Sequence, residues 1–131
     1  MFSIQLKVRD YECDMQGIVN NAVYQHYLEH ARHEFLLAHG LSFAGLTAVG
    51  ILLVVKRIEI DYHSPLRSGD SFEVQCGTSR ISPLRFAFIQ KIVRLPDGKP
   101  VVDARVIGTS INTQGRPFLP PVIDQFFGQD E

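Results

Sequence analysis

The sequence has few cysteines and no long apolar run, and each shortage excludes a class of protein. Only Cys13 and Cys76 are present, far apart and without a CxxC motif, so neither a disulfide framework nor a zinc site is expected. No apolar run approaches the ~20 residues that span a bilayer, and the start lacks a basic segment followed by a long apolar one. We therefore expect no membrane span and a cytoplasmic location, or a plastid location after removal of a transit peptide.

The chain also lacks an excess of charge of either sign. Its formal net charge is -1, and its basic residues are spread along the sequence, so a nucleic-acid partner is not expected. With 131 residues, 45% of them hydrophobic and 21% charged, the composition is typical of one soluble globular domain. We expect a single domain over residues 1–131.

Two periodicities organise the first third of the chain. Apolar and polar residues alternate over residues 3–9, which predicts a half-buried strand. Beyond Gly17, apolar residues recur at steps of three and four, which predicts one amphipathic helix from about Asn21 to His39. Asn20 or Asn21 can cap this helix with a side-chain amide oxygen.

The remainder of the chain alternates between strand patterns and turns. The predicted strands cover residues 51–62, 71–79, 84–95 and 101–112, with a loop through Gly45 and Gly50 before them. The first is expected to begin buried on both faces, and residues 122–127 to form a helical turn or an exposed arm. The order predicts an α+β fold, with one long helix on a five-stranded antiparallel sheet. Because this leaves a sheet edge poorly covered, we expect a homodimer or homotetramer.

The loop before the helix holds the strongest candidate site. It contains the carboxylates of Glu12 and Asp14, the turn residue Gly17 and two asparagines able to cap a helix. A helix N-terminus offers unpaired N–H groups and a partial positive charge, which suit a thioester oxygen that becomes negative during attack. A nearby carboxylate can drive that attack.

The sequence resembles a known family, the hotdog-fold thioesterases of the 4-hydroxybenzoyl-CoA thioesterase type. The matching positions are Asp14, Gly17, Val19, Asn20, Asn21, Tyr24, Tyr27, Glu29, Ala31 and Arg32, followed more weakly by Ile58–Tyr62, Pro65 and Gly69-Asp70. The resemblance implies that Asp14 is the catalytic carboxylate and that the backbone N–H of Asn21 binds the oxyanion, with Gly17 and Asn20 in support. It also implies dimers joined at sheet edges, with each acyl site at the subunit junction.

Three further residues are candidates for supporting or substrate-binding roles. Tyr24 lies on the apolar stripe of the helix, where it either lines an acyl pocket or belongs to the core. Glu29 either forms an exposed ion pair with Arg32 or His33 or orients the catalytic loop. Arg85 either meets the phosphates of coenzyme A or a carrier-protein arm, or lies on a solvated strand face. The five histidines show no metal-binding spacing, so no metal and no cofactor are expected.

The predicted activity is hydrolysis of an acyl-CoA or acyl-carrier-protein thioester. Some relatives carry histidine where this chain has Ile18 or Asn21, so Asp14 must act without an imidazole from this loop. It either attacks the carbonyl as a nucleophile or takes a proton from water as a general base. The alternatives are a hotdog enoyl-thioester hydratase and a non-catalytic acyl-thioester-binding hotdog protein.

Overall fold

The computed structural model describes residues 2–127. Its strands are β1 Phe2–Lys7, β2 Leu52–Tyr62, β3 Ser71–Ser82, β4 Arg85–Leu95, β5 Pro100–Ile111 and β6 Pro117–Phe118. Its helices are α1 Asn21–Ala38, α2 Phe43–Ala48 and α3 Pro121–Phe127, and a 3-10 turn covers Asp10–Glu12. The predicted long helix and the five predicted strands are confirmed, each with bounds within a few residues of the expected ones.

Helix α1 begins and ends where its flanking residues satisfy the free backbone groups. The side-chain oxygen of Asn20 accepts a hydrogen bond from the Ala22 N–H at 2.9 Å, and Gly40 follows the helix with a φ of 80°. One face of α1 is buried, through Tyr24, Tyr27, Leu28, Ala31, Arg32, Phe35 and Leu36. Neither α1 nor any other helix within residues 2–127 has the length and apolar character of a membrane span.

The strands form one antiparallel sheet in the order β1-β3-β4-β5-β2. Alternate residues of β3 are buried, including Phe72, Val74 and Cys76, and these pack with the buried face of α1. The architecture is the predicted α+β hotdog fold, in which a sheet wraps one long helix.

Strand β2 lies at an edge of the sheet and pairs only with β5 among the described strands. Val55, Ile58 and Tyr62 are exposed on it, and its first residues are only half-buried. The expectation that this strand begins buried on both faces is therefore wrong, because Leu53, Val54 and Val55 line a cavity instead of a close-packed core. An edge of eleven residues with exposed apolar side chains is a surface on which another strand can pair.

Three short elements add to the expected fold. The segment predicted as a loop through Gly45 contains α2, whose start is capped by Ser42 through a 2.9 Å bond from the Gly45 N–H, so the loop prediction is wrong there. Strand β6 pairs with the end of β5, beyond the last residue that β4 covers, and makes the sheet six-stranded. The tail forms α3, and its Ile123 is fully buried, which excludes an exposed arm over this segment.

Candidate active site

Residues 12–20, here called the Asp14 hairpin, fold back on themselves just before α1. Cys13 pairs with Val19, the Asp14 N–H donates to the Ile18 carbonyl at 2.8 Å, and the Gly17 N–H donates to the Asp14 carbonyl at 3.0 Å. Gly17 has a φ of 79°, which L-residues with a side chain rarely adopt. The glycine therefore closes the turn that ends the strand-like arm carrying Asp14.

The segment after β2 holds the Asp14 hairpin against the helix. The Val19 N–H donates to the Leu66 carbonyl at 2.9 Å, and the Leu66 N–H donates to the Tyr24 hydroxyl at 3.0 Å. Tyr24 is buried, and it does not line the cavity described below. Of the two expected roles, its position fits a core residue and not a residue of the acyl pocket. Its hydroxyl holds Leu66, and Leu66 in turn holds the hairpin.

The two carboxylates of the hairpin have different surroundings. Glu12 has a side chain only 10% exposed, and one of its oxygens accepts from the Tyr27 hydroxyl at 2.7 Å and from the Arg9 N–H at 2.8 Å. Burial and this bond to Glu12 raise the pKa of Tyr27. Asp14 is exposed, and its Oδ1 accepts from the Gln16 N–H at 2.8 Å. Its Oδ2 has no partner within residues 2–127, so Asp14 is the carboxylate left available for chemistry.

The first turn of α1 offers one free backbone donor. The Ala22 N–H is bonded to the Asn20 side chain, and the Val23 N–H donates to the Asn20 carbonyl at 2.9 Å. The Asn21 N–H has no acceptor among residues 2–127. The free amide is thus the one to which the family resemblance assigns oxyanion binding, at the positive end of an 18-residue helix dipole.

Tyr62 also lies at the start of α1, and sequence reasoning placed it only in a strand. Its hydroxyl donates to the Asn21 carbonyl at 3.5 Å, and its ring packs on Tyr24 with 5.6 Å between centroids. It is the last residue of β2 and is 46% exposed. No local signal could identify it, because its contact with Asn21 joins residues 41 apart in sequence.

The pKa of Tyr24 responds to several groups of the candidate site. Burial is the main cause that raises the pKa of Tyr24 above 10.0, and the Leu66 N–H lowers it in part. The negative charges of Cys13, Tyr62 and Asp14, when ionised, each raise it further. Asp14 and Tyr62 are therefore both near enough to the Tyr24 phenol to interact with it.

The register of the hairpin gives the backbone separation of Asp14 and Asn21. Asn20 pairs with Glu12 in the hairpin, two residues before Asp14. At ~3.3 Å per extended residue, Asp14 and Asn21 are on the order of 10 Å apart.

A cavity of about 330 Å³ lies between α1, α2 and the strands β2, β4 and β5. Most of its lining is apolar; the lining residues are Glu29, Arg32, His33, Phe43, Leu53, Val54, Val55, Phe86, Phe88, Val106 and Gly108. Because helix α1 rises 1.5 Å per residue, Arg32 lies about 16 Å along the helix from Asn21. The cavity is therefore distant from the Asp14 hairpin of its own chain.

Glu29 lies at the cavity wall and not at the hairpin. It is exposed and forms no ion pair with any of residues 2–127, so the expectation of an exposed pair with Arg32 or His33 is wrong. Arg32 is buried instead, and it donates to the Gln90 side-chain oxygen at 3.2 Å. Burial lowers the pKa of Arg32, while the nearby charge of Glu29 acts in the opposite direction.

Arg85 is exposed at the first residue of β4 and forms no ion pair within the described part of the chain. It lies where β3 ends, whereas the Asp14 hairpin lies where β3 begins. The 12 residues of β3 separate the two, roughly 35 Å at the rise of an extended strand. The structure does not bring Arg85 to the Asp14 hairpin of the same chain.

Comparison with known sequences gives a consistent picture. A model of the Thioesterase-like superfamily matches residues 8–127. The chain is 40% identical over 118 residues to acyl-acyl carrier protein thioesterase ATL3, chloroplastic, of Arabidopsis thaliana, which covers 90% of this chain and 62% of that protein. It is 34% identical over 115 residues to the long-chain acyl-CoA thioesterase FadM of Escherichia coli (strain K12), covering 88% and 86% of the two chains. This chain thus spans less than two thirds of the length of ATL3.

Comparison with solved structures supports the fold. The crystal structure of a hypothetical protein from Aquifex aeolicus superposes with a TM-score of 0.90 at 26% identity, covering 97% of this chain and 99% of that one. The helix and sheet described above are therefore shared across almost the whole chain.

Proposed function

Since this chain belongs to the thioesterase-like superfamily, we propose that it hydrolyses an acyl-CoA or acyl-carrier-protein thioester and releases the free carboxylic acid. The observation that carries the proposal is the pairing of an available carboxylate with a free helix-start amide. Within residues 2–127, Asp14 is exposed with one carboxylate oxygen unbonded, and the Asn21 N–H, across the same hairpin, has no acceptor. The names of ATL3 and FadM describe an acyl-carrier-protein thioesterase and an acyl-CoA thioesterase, which supports both carriers.

In this reaction the thioester oxygen accepts a hydrogen bond from the Asn21 N–H. The helix dipole and this donor stabilise the negative charge that develops on that oxygen. Asp14 acts in one of two ways. It attacks the carbonyl carbon, expels the thiolate and forms an acyl anhydride that water opens, or it takes a proton from a water molecule that attacks instead. Both routes end in a carboxylic acid and a thiol.

We further propose that the acyl site is completed by a second copy of the chain. Strand β2 is a long edge with exposed Val55 and Ile58, and two copies of it can pair antiparallel about a twofold axis. Pairing centred on the strand sets Tyr62 opposite Leu52 of the partner subunit. The cavity of the partner, whose wall begins at its β2, then lies beside the Asp14 hairpin of this chain. A homodimer, or a homotetramer built from two dimers, follows from this arrangement.

The cavity is the proposed place for the acyl group. Its lining is mainly aliphatic and aromatic, and its volume of about 330 Å³ lies at the lower end of the range of ligand pockets. A cavity of ~150 Å³ takes a benzene molecule, so the volume suits an apolar acyl group of moderate size. The same pairing brings Arg85 of the partner subunit toward this chain's hairpin, where phosphates of coenzyme A or a carrier arm would meet it.

The test is release of free thiol from a panel of acyl-CoA and acyl-carrier-protein thioesters with short, medium, long and aromatic acyl groups. Asp14→Asn should reduce kcat by at least ~1000-fold on every substrate that the wild type hydrolyses, because either route needs the carboxylate. Glu12→Gln is the matched control, since its amide oxygen can still accept from Tyr27 and Arg9. It should retain most of the wild-type turnover.

The same panel separates the alternatives. Loss of an enoyl double bond without thiol release would identify a hydratase, and binding without either reaction would identify an acyl-binding protein. Substantial thiol release by Asp14→Asn would reject the assigned carboxylate.

For the location we propose the cytoplasm, or the plastid in a plant cell. ATL3 is described as chloroplastic, which makes the plastid the alternative to test. Fractionation of cells that express the full gene product would distinguish the two.

A further inference from the structure

The helix start supplies only one donor to a substrate oxygen. Asn20 occupies the amides of Ala22 and Val23, which leaves the Asn21 N–H as the free first-turn amide. A carbonyl oxygen has two lone pairs, and as it becomes an oxyanion it gains from a second donor. The hydroxyl of Tyr62 is a further donor that contacts this residue.

The bond that Tyr62 makes in the absence of substrate is weak. Its hydroxyl lies 3.5 Å from the Asn21 carbonyl, longer than the 2.5–3.0 Å of a normal O–H···O hydrogen bond. A carbonyl in the first turn of a helix also accepts from the N–H four residues later, so Asn21 does not depend on Tyr62. The phenol can therefore leave this acceptor at little cost.

Tyr62 is the one tyrosine of its cluster whose hydroxyl is both accessible and weakly bonded. The Tyr24 hydroxyl is buried and accepts from Leu66, and the Tyr27 hydroxyl donates to Glu12 at 2.7 Å. Tyr62 is 46% exposed, and its ring is held against Tyr24 at 5.6 Å. Packing on Tyr24 thus holds Tyr62 at the start of α1, and the exposed part of the side chain leaves it room to shift.

We infer that Tyr62 is a catalytic residue, the second hydrogen-bond donor to the thioester oxygen. The N–H and C=O of a helical residue point in opposite directions along the helix. When the thioester oxygen binds at the Asn21 N–H, the Tyr62 side chain therefore shifts from the Asn21 carbonyl toward that end, and its O–H donates to the substrate oxygen. The proton stays on Tyr62 throughout, and the group stabilises charge without transferring a proton. This inference rests on the proposed thioesterase function.

The test is Tyr62→Phe, assayed on the best substrate of the panel. The variant keeps the ring that packs on Tyr24 and removes one oxygen atom, so Tm should match the wild type. Loss of an oxyanion donor should lower kcat by roughly 100- to 1000-fold, with KM changed by less than about twofold, because the bond forms chiefly as charge develops. Tyr11→Phe is the matched control: Tyr11 is 79% exposed, and the variant should keep the wild-type kcat.

A role in packing alone gives the opposite result. In that case Tyr62→Phe would turn over at the wild-type rate, which would overturn the inference. A rise in KM with kcat unchanged would also overturn it, since that pattern marks a contact made equally in the bound substrate and the transition state. Failure of the underlying function is distinct: the wild type would then release no thiol, or Asp14→Asn would remain active.

Discussion

The two carboxylates of the Asp14 hairpin, Glu12 and Asp14, differ in their hydrogen-bond partners. Glu12 is held by Tyr27 and by the Arg9 N–H, so its oxygens are used within the chain. The Asp14 side chain accepts only from the Gln16 N–H, and its Oδ2 has no hydrogen-bond partner among residues 2–127. Since a group that holds the loop in place cannot also attack a substrate without releasing the loop, this difference supports Asp14, and not Glu12, as the proposed catalytic carboxylate.

Gly17 gives a test of how strictly this loop must be shaped. Its φ of 79° is unfavourable for alanine, and a Cβ there would meet no atom within 4 Å, so Gly17→Ala adds backbone strain without a clash. We expect the free energy of unfolding to fall by about 1–2 kcal/mol. The turnover number should fall roughly 10- to 100-fold, because a small displacement of Asp14 is costly to catalysis.

Gly115→Ala is the control for that prediction. Gly115 has the same φ of 79° and equally open surroundings, but it lies in the turn between β5 and β6. Urea unfolding should show similar losses of stability for the two variants. Equal losses of turnover as well would mean that the shape of the Asp14 hairpin is not what limits the reaction.

The residues of the candidate site differ in how far they can be found from sequence. Asp14, Gly17 and Asn21 lie within a few positions of one another, and the turn and cap chemistry that places them is local. Tyr62 reaches Asn21 only through the fold, and the exposure of Glu29 depends on where α2 and β2 lie. Contacts between distant segments follow from sheet order and register, which no single window of sequence contains.

At the start of helix α1, Asn20 caps the helix and the neighbouring Asn21 N–H is the proposed oxyanion donor. The variant Asn20→Asp tests the two roles separately. Aspartate caps a helix as well as asparagine does, and its charge favours the helix dipole, so stability should stay within about 0.5 kcal/mol of the wild type or rise. The same negative charge lies next in sequence to Asn21, whose amide is proposed to bind the oxyanion, and it should lower kcat about tenfold.

The electrostatic origin of that loss can be checked by salt. Raising ionic strength screens the added charge, so part of the lost kcat of Asn20→Asp should return. Asn112→Asp is the matched control, since the Asn112 side-chain oxygen also accepts backbone N–H groups, from Gln114 and Arg116. Equal loss of activity in the two variants would contradict a specific effect at the start of α1.

The elements that sequence predicts well are those with a long, clear period. Helix α1 spans 18 residues and the five main strands alternate over enough positions to be recognised. Helix α2 has six residues and contains Gly45, too short a run to show a helical period against a glycine. Strand β6 has two residues and exists only because β5 extends past the last residue of β4 that pairs with it. Its presence depends on register.

Within one chain, the proposed catalytic groups lie far from the apolar cavity. Asp14 and Asn21 lie at one end of the sheet, while the cavity lies toward the other end, beside the start of β2. Antiparallel pairing of two β2 strands brings opposite ends of the two sheets together. In the proposed twofold dimer the hairpin of each subunit lies beside the cavity of the other, and we expect a lone subunit to be inactive.

This arrangement predicts complementation between two inactive variants. Asp14→Asn lacks the carboxylate but keeps the cavity, and Leu53→Trp fills the cavity but keeps the carboxylate. Each should be dimeric by sedimentation and nearly inactive alone. After mixing in equal amounts, unfolding and refolding, half of the dimers are mixed, and each mixed dimer holds one site with an intact Asp14 and an intact partner cavity. About one quarter of the wild-type specific activity should return. If the two differently tagged chains co-purify as mixed dimers and no activity returns, each site lies within a single subunit and the shared site is wrong.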